Sequence, residues 1–101
     1  MRLTSLHSTF LLDLQARGRS ALTISNYTSD FRRFREYMAD AGGKDALSAL
    51  TLEAVEDFPR WLSGRGLGSN SISRVVSSLS TFCTWLVYKR KIGTSPVSRF
   101  I

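Results

Sequence analysis

The sequence predicts a small all-α bundle of four helices. Three observations carry that reading. Apolar residues recur at helical spacing in four separate stretches, no stretch alternates apolar and polar residues as a strand does, and the seven glycines fall between the stretches. At 101 residues the chain has the size of one compact domain.

The first stretch runs from Ser5 to Arg17, with Leu6, Phe10 and Leu14 as its apolar stripe and Leu3 and Leu11 flanking it; Gly18 supplies the stop. The second opens at Ser20, a good N-cap, and runs to about Ala41 before Gly42 and Gly43. Ile24, Tyr27, Phe31, Phe34 and Met38 share one face of it. The third follows Thr51, a second N-cap, with Glu53 placed to favour the helix dipole. Val55, Phe58 and Leu62 form its stripe with Trp61 beside them, and Pro59 is expected to kink it or break its hydrogen-bond ladder. Gly64, Gly66 and Gly68 mark the next turn. The fourth stretch runs from about Asn70 to Lys91, with Ile72, Val75, Val76, Leu79, Phe82, Cys83 and Leu86 on one face. Lys89, Arg90 and Lys91 are expected to load its last turn, Gly93 to stop it and Pro96 to prevent its resumption.

Composition excludes several classes. With 43% apolar and 22% charged residues the chain is an ordinary globular mixture. One cysteine cannot form an internal disulfide or a zinc site of several thiolates, and one histidine leaves little metal or acid–base chemistry. Residues 1–7 lack the apolar core of a signal peptide, and no run is long enough to span a bilayer. A soluble protein of the cytoplasm with a reduced thiol is expected, with no cofactor, metal, membrane or small-molecule substrate.

Charge is the more informative quantity. Fourteen Lys and Arg against eight Asp and Glu give +6, unevenly placed. Residues 1–41 carry six basic and four acidic groups, residues 42–63 two and four, and residues 64–101 six basic groups and no acid. Such segregation points to a polyanionic partner, with nucleic acid leading.

Catalytic signals are weak. His7 has no triad-like neighbour, Cys83 lies on an apolar stripe, and Glu53, Glu56 and Asp57 face different sides of one helix. There is no Walker loop, no GxGxxG and no CxxC. The second and fourth helices carry a different signal. Opposite its apolar stripe the second presents Ser25, Asn26, Ser29 and Arg33, together with Leu22; the fourth presents Asn70, Ser73, Arg74, Ser77, Thr81 and Thr84. Ser and Thr lower helix propensity, so a hydroxyl-rich face needs a reason. Short polar side chains let a helix settle into the major groove and bond phosphates or base edges, and Arg74 suits a guanine.

Two stretches match a known pattern. Gly18 to Phe34 resembles the tyrosine recombinase signature G-x-S-x-x-T-x-x-x-Y-x-x-D-L-x-x-F, and Gly66 to Phe82 resembles its partner G-L-x-x-x-S-I-x-R-x-x-S-x-L-R-x-F. Ser95-Pro96 is similar to the Asn-Pro at the family's exit. Phe31 stands where leucine is usual, and Ser80 where arginine is common. The resemblance implies a SAM-like orthogonal bundle: the core-binding domain of a phage-integrase or Xer-like site-specific recombinase. It implies a domain over residues 1–94, a linker starting at 95–101, and a catalytic domain elsewhere that performs DNA integration or recombination. This chain alone is then no enzyme, because one histidine cannot supply the family's phosphoryl-transfer residues. The implied partners are double-stranded DNA in the nucleoid and other recombinase protomers. The candidate DNA-binding residues are Arg19, Ser20, Thr23, Ser25, Asn26, Ser29 and Arg33 around the second helix, and Asn70, Ser73, Arg74, Ser77 and Thr81 on the fourth. A helical module whose basic face meets an acidic protein is the alternative, since fold alone does not determine function.

Overall fold

The computed structural model describes residues 1–97. It contains α1 (Leu3–Ala16), α2 (Ala21–Asp40), α3 (Leu52–Gly64) and α4 (Ser69–Tyr88), with a single 3-10 turn at Leu47–Ala49 that the sequence did not signal. No strand occurs among the described residues, so the all-α class holds. The chain divides into two compact units, Met1–Ala49 and the part from Leu50 onward.

In the first unit α1 packs on α2. Leu3, Leu6 and Phe10 are buried from α1, and Phe31, Phe34, Tyr37 and Met38 from α2. Leu14, Ile24 and Tyr27, expected in the stripes, are only half-buried, whereas Tyr37 and Asp30 are buried. His7 is also buried, stacked on Phe31 with ring centroids 4.0 Å apart and tilted against Phe10 at 5.4 Å. Arg2, the N-cap of α1, offers no side-chain cap. Asp45 supplies one from a distance: its Oδ1 accepts from the Thr4 N–H at 3.0 Å and its Oδ2 from Arg2 Nε at 3.3 Å. Desolvation raises the Asp45 pKa, but the Thr4 hydrogen bonds and the Arg2 charge outweigh it and hold the carboxyl below its usual range.

In the second unit α3 packs on α4. Val55, Phe58 and Leu62 are buried as their spacing predicts, and so are Val75, Leu79, Phe82, Cys83 and Leu86. Trp85 and Ser78 are buried as well. Ile72 and Val76 stay half-buried at the edge of the stripe. Pro59 lies inside α3, which continues through it from Leu52 to Gly64. Proline removes only the bond its own N–H would have given to the Val55 carbonyl. The fully buried Val55, Phe58 and Leu62 hold the turns on either side. Ser95 and Val97 are buried; residues 98–101 of the expected linker lie outside the described residues.

The N-caps expected at Ser20 and Thr51 are formed: their hydroxyls accept from the N–H groups of Thr23 (3.2 Å) and Ala54 (3.1 Å). All four helices close in the same way, with a left-handed residue one past the C-cap. That residue is Gly18, Gly42 and Gly66 for α1 to α3, and Arg90, at φ +57°, for α4. The Arg90 N–H donates to the Val87 carbonyl and the Lys91 N–H to that of Leu86, both at 2.9 Å. The expected end of the fourth helix is therefore corrected. It stops at Tyr88 rather than Lys91, and the stop is Arg90, not Gly93. Lys89, Arg90 and Lys91 lie past the last turn instead of inside it.

Candidate nucleic-acid interface

On α2 the helical period places Ser25, Asn26 and Ser29 away from the buried Phe31 and Phe34, and all three are exposed. Among the described residues their side chains make no intramolecular hydrogen bond, so their donors and acceptors face solvent. Arg33, farther along the same face, is half-buried, and Leu22, in the first turn, is 72% exposed. Ser20 and Thr23 are placed differently. Besides forming the cap, their hydroxyls hydrogen-bond each other at 3.0 Å, so both are engaged within the helix start. Arg19 is exposed, and its N–H closes onto the Leu14 carbonyl at 3.0 Å.

On α4 the residues Asn70, Ser73, Arg74, Ser77 and Thr81 are all exposed, opposite the buried Val75, Leu79 and Phe82. Thr81 Oγ1 donates to the Ser77 carbonyl at 3.1 Å, and Thr84 Oγ1 to that of Ser80 at 3.1 Å. These threonines turn one hydroxyl bond back onto the helix. Ser73 and Ser77 also border a shallow groove of about 330 Å³ lined by Pro59, Ile72 and Val76. The polar face of α4 thus adjoins an apolar margin.

Basic side chains also lie outside those two faces. The Arg65 guanidinium lies over the Trp61 ring at 4.5 Å, and the Lys89 ammonium lies 5.9 Å from the Trp85 ring and 5.7 Å from that of Tyr88. Arg65, Lys89, Arg90 and Lys91 are all exposed at the ends of α3 and α4. They belong to the acid-free stretch after residue 63. In the first unit Arg2, Arg32 and Arg35 line an open depression of about 450 Å³, but Glu36 and Asp45 line it too and offset much of the charge.

His7 and Cys83 take no part in either face. Burial pushes the His7 imidazole down to about 4 and the Cys83 thiol up to about 12, so both are neutral near pH 7. No helix among the described residues is long and apolar enough to cross a membrane.

Four helices and no strand among the described residues make this an all-α domain, and its family pattern makes it one of the SAM-like class. The chain belongs to the family of phage integrase N-terminal SAM-like domains, whose pattern matches residues 8–90. It is 35% identical over 95 residues to a tyrosine recombinase XerC of Chlorobaculum tepidum, an alignment covering 88% of this chain and 28% of that protein. It is 31% identical over 81 residues to a tyrosine recombinase XerD of Listeria monocytogenes serotype 4b, covering 80% and 27%. It is also 31% identical over 96 residues to a tyrosine recombinase XerC of Pediococcus pentosaceus, covering 95% and 31%. The chain spans under a third of the length of these curated relatives. No solved structure matches it significantly.

Proposed function

We propose that this chain is the DNA-binding domain of a site-specific tyrosine recombinase and grips duplex DNA through the outward faces of α2 and α4. The observation that carries the reading is the pairing of recombinase-family membership with two exposed hydroxyl and amide faces, with Arg74 exposed and Arg33 half-buried on them, on a chain of net charge +6. Ser25, Asn26, Ser29, Ser73 and Ser77 are short enough to let a helix approach base edges; Asn70 suits phosphate oxygens, and Thr81 reaches one by turning its hydroxyl proton away from the Ser77 carbonyl. Arg74 is the guanine-reading side chain, while Arg19 and Arg33 neutralise phosphates. Ser20 and Thr23 contribute by fixing the start of α2. Strand cleavage and rejoining, for integration or recombination, are assigned to a catalytic domain outside this chain. His7 and Cys83 are buried and neutral, so neither serves that chemistry here.

Titration of a labelled duplex by anisotropy tests the reading. With about three to five phosphates neutralised, log K falls with log salt at a slope of roughly −3 to −4.5. Arg74→Ala removes about 1–3 kcal/mol of base discrimination and Asn26→Ala a comparable amount. Affinity unchanged in both variants would remove these faces from the interface.

A further inference from the structure

Leu22 is 72% exposed, in the first turn of α2. A single exposed leucine ordinarily needs no explanation. Its setting makes this one different. Helical spacing puts Ser25 and Asn26 three and four residues on, directly beside it, with Ser29 continuing the same face. All three carry polar groups that meet no partner within the chain among the described residues. Leu12 of α1, 65% exposed, offers the contrast: its neighbours Ser8 and Thr9 donate their hydroxyls to the carbonyls of Thr4 and Ser5. That surface spends its polar groups on its own helix, whereas the surface around Leu22 keeps them for something outside.

A ligand for that surface must offer hydrogen-bonding edges on both sides of a small apolar spot. An apolar protein groove lacks the edges, and a bare phosphate lacks the spot. In the major groove the thymine C5-methyl provides the spot, flanked by base donors and acceptors. The net charge of +6 is complementary to such a duplex. In helix-turn-helix proteins it is the N-terminal residues of the groove-bound helix that reach base edges.

We infer that Leu22 is a specificity-determining residue whose side chain packs on the C5-methyl of a thymine in the bound duplex. The inference rests on the DNA-binding reading above, and one experiment separates the two. A duplex library with a randomised core is selected on the native chain and on Leu22→Ala, and the duplex retained by the native chain is remade with deoxyuridine in place of each thymine in turn. Deoxyuridine removes only the methyl group. One thymine position is expected to be enriched by the native chain. Its replacement weakens binding about fourfold, the equivalent of one methyl group taken from water. Leu22→Ala loses that enrichment and becomes indifferent to the replacement there, while keeping its other base preferences. Salt-sensitive binding with no deoxyuridine effect at any position overturns the Leu22 contact and leaves the DNA-binding reading standing. A deoxyuridine penalty that persists undiminished in Leu22→Ala also overturns it. Failure to retain any duplex overturns both.

Discussion

His7 in the first unit and Cys83 in the second are both buried, and the same physical penalty gives these two side chains opposite pH sensitivities. In the first unit His7 lies between α1 and α2, 5% exposed and stacked on Phe31. In the second Cys83 lies in the core of α4, fully buried. Desolvation disfavours the charged form of both, so the base is pushed from its ordinary 6.5 down to about 4 and the acid from 9.0 up to about 12. An unfolded chain takes up a proton at His7 below pH 6.5 that the folded chain refuses. Conversely, it gives up a proton at Cys83 above pH 9 that the folded chain keeps. Stability therefore falls toward acid through the first unit and toward alkali through the second. A neutral aromatic and a small thiol look like equivalent core residues near pH 7, and only the flanks of the pH profile tell them apart.

The largest expected effect is on the acid side. The His7 contribution is complete above pH 6.5 and is lost as the pH falls toward 4. Between pH 7.5 and 5 it should remove about 2 kcal/mol of unfolding free energy. Denaturant melts at a series of pH values check this, with His7→Phe as the control that keeps the stack on Phe31 and flattens the profile above pH 5. A native profile as flat as the variant's would mean that the imidazole is solvated. On the alkaline side Cys83 should cost about 1.4 kcal/mol between pH 8 and 10, where the unfolded thiol ionises and the folded one does not. Cys83→Ala should abolish that slope from a lower baseline, since it also leaves a small cavity. Rapid alkylation of the native thiol at pH 8, without unfolding, would break the contrast between the halves.

Much of this was legible in the sequence, and the exceptions share a cause. Ser20 and Thr51 announced the starts of α2 and α3 because a cap is a local event: one hydroxyl and one N–H three residues away. The stripe of α3 was legible because Val55, Phe58 and Leu62 are strongly apolar at regular spacing. Tyr37, Ser78 and Trp85 were missed because burial at the margin of a stripe depends on the packing partner, which periodicity does not contain. Asp45 capping α1 from 41 residues away had no sequence signal at all. For the candidate interface, exposure of the polar faces followed from the helical period. The engagement of the Ser20 and Thr23 hydroxyls with each other, and the cation–ring contacts of Arg65 and Lys89, needed coordinates.

The closure of α4 is where the two halves differ in the other direction, and it yields the smallest expected effect. Both helices of the first unit end on a glycine with positive φ, as does α3, whereas α4 ends on Arg90 at φ +57°. A residue with a Cβ in that conformation costs about 1–2 kcal/mol, part of which a glycine forfeits through the greater freedom of its unfolded chain. Arg90→Gly should therefore stabilise the chain by about 1 kcal/mol, which at this size is a rise of about 4–8 °C in Tm. The reciprocal Gly66→Ala meets open space but keeps φ +91°, so it should lose about as much. If Arg90→Gly leaves Tm unchanged, contacts of the arginine side chain offset the strain, and the fourth closure is then as relaxed as the other three.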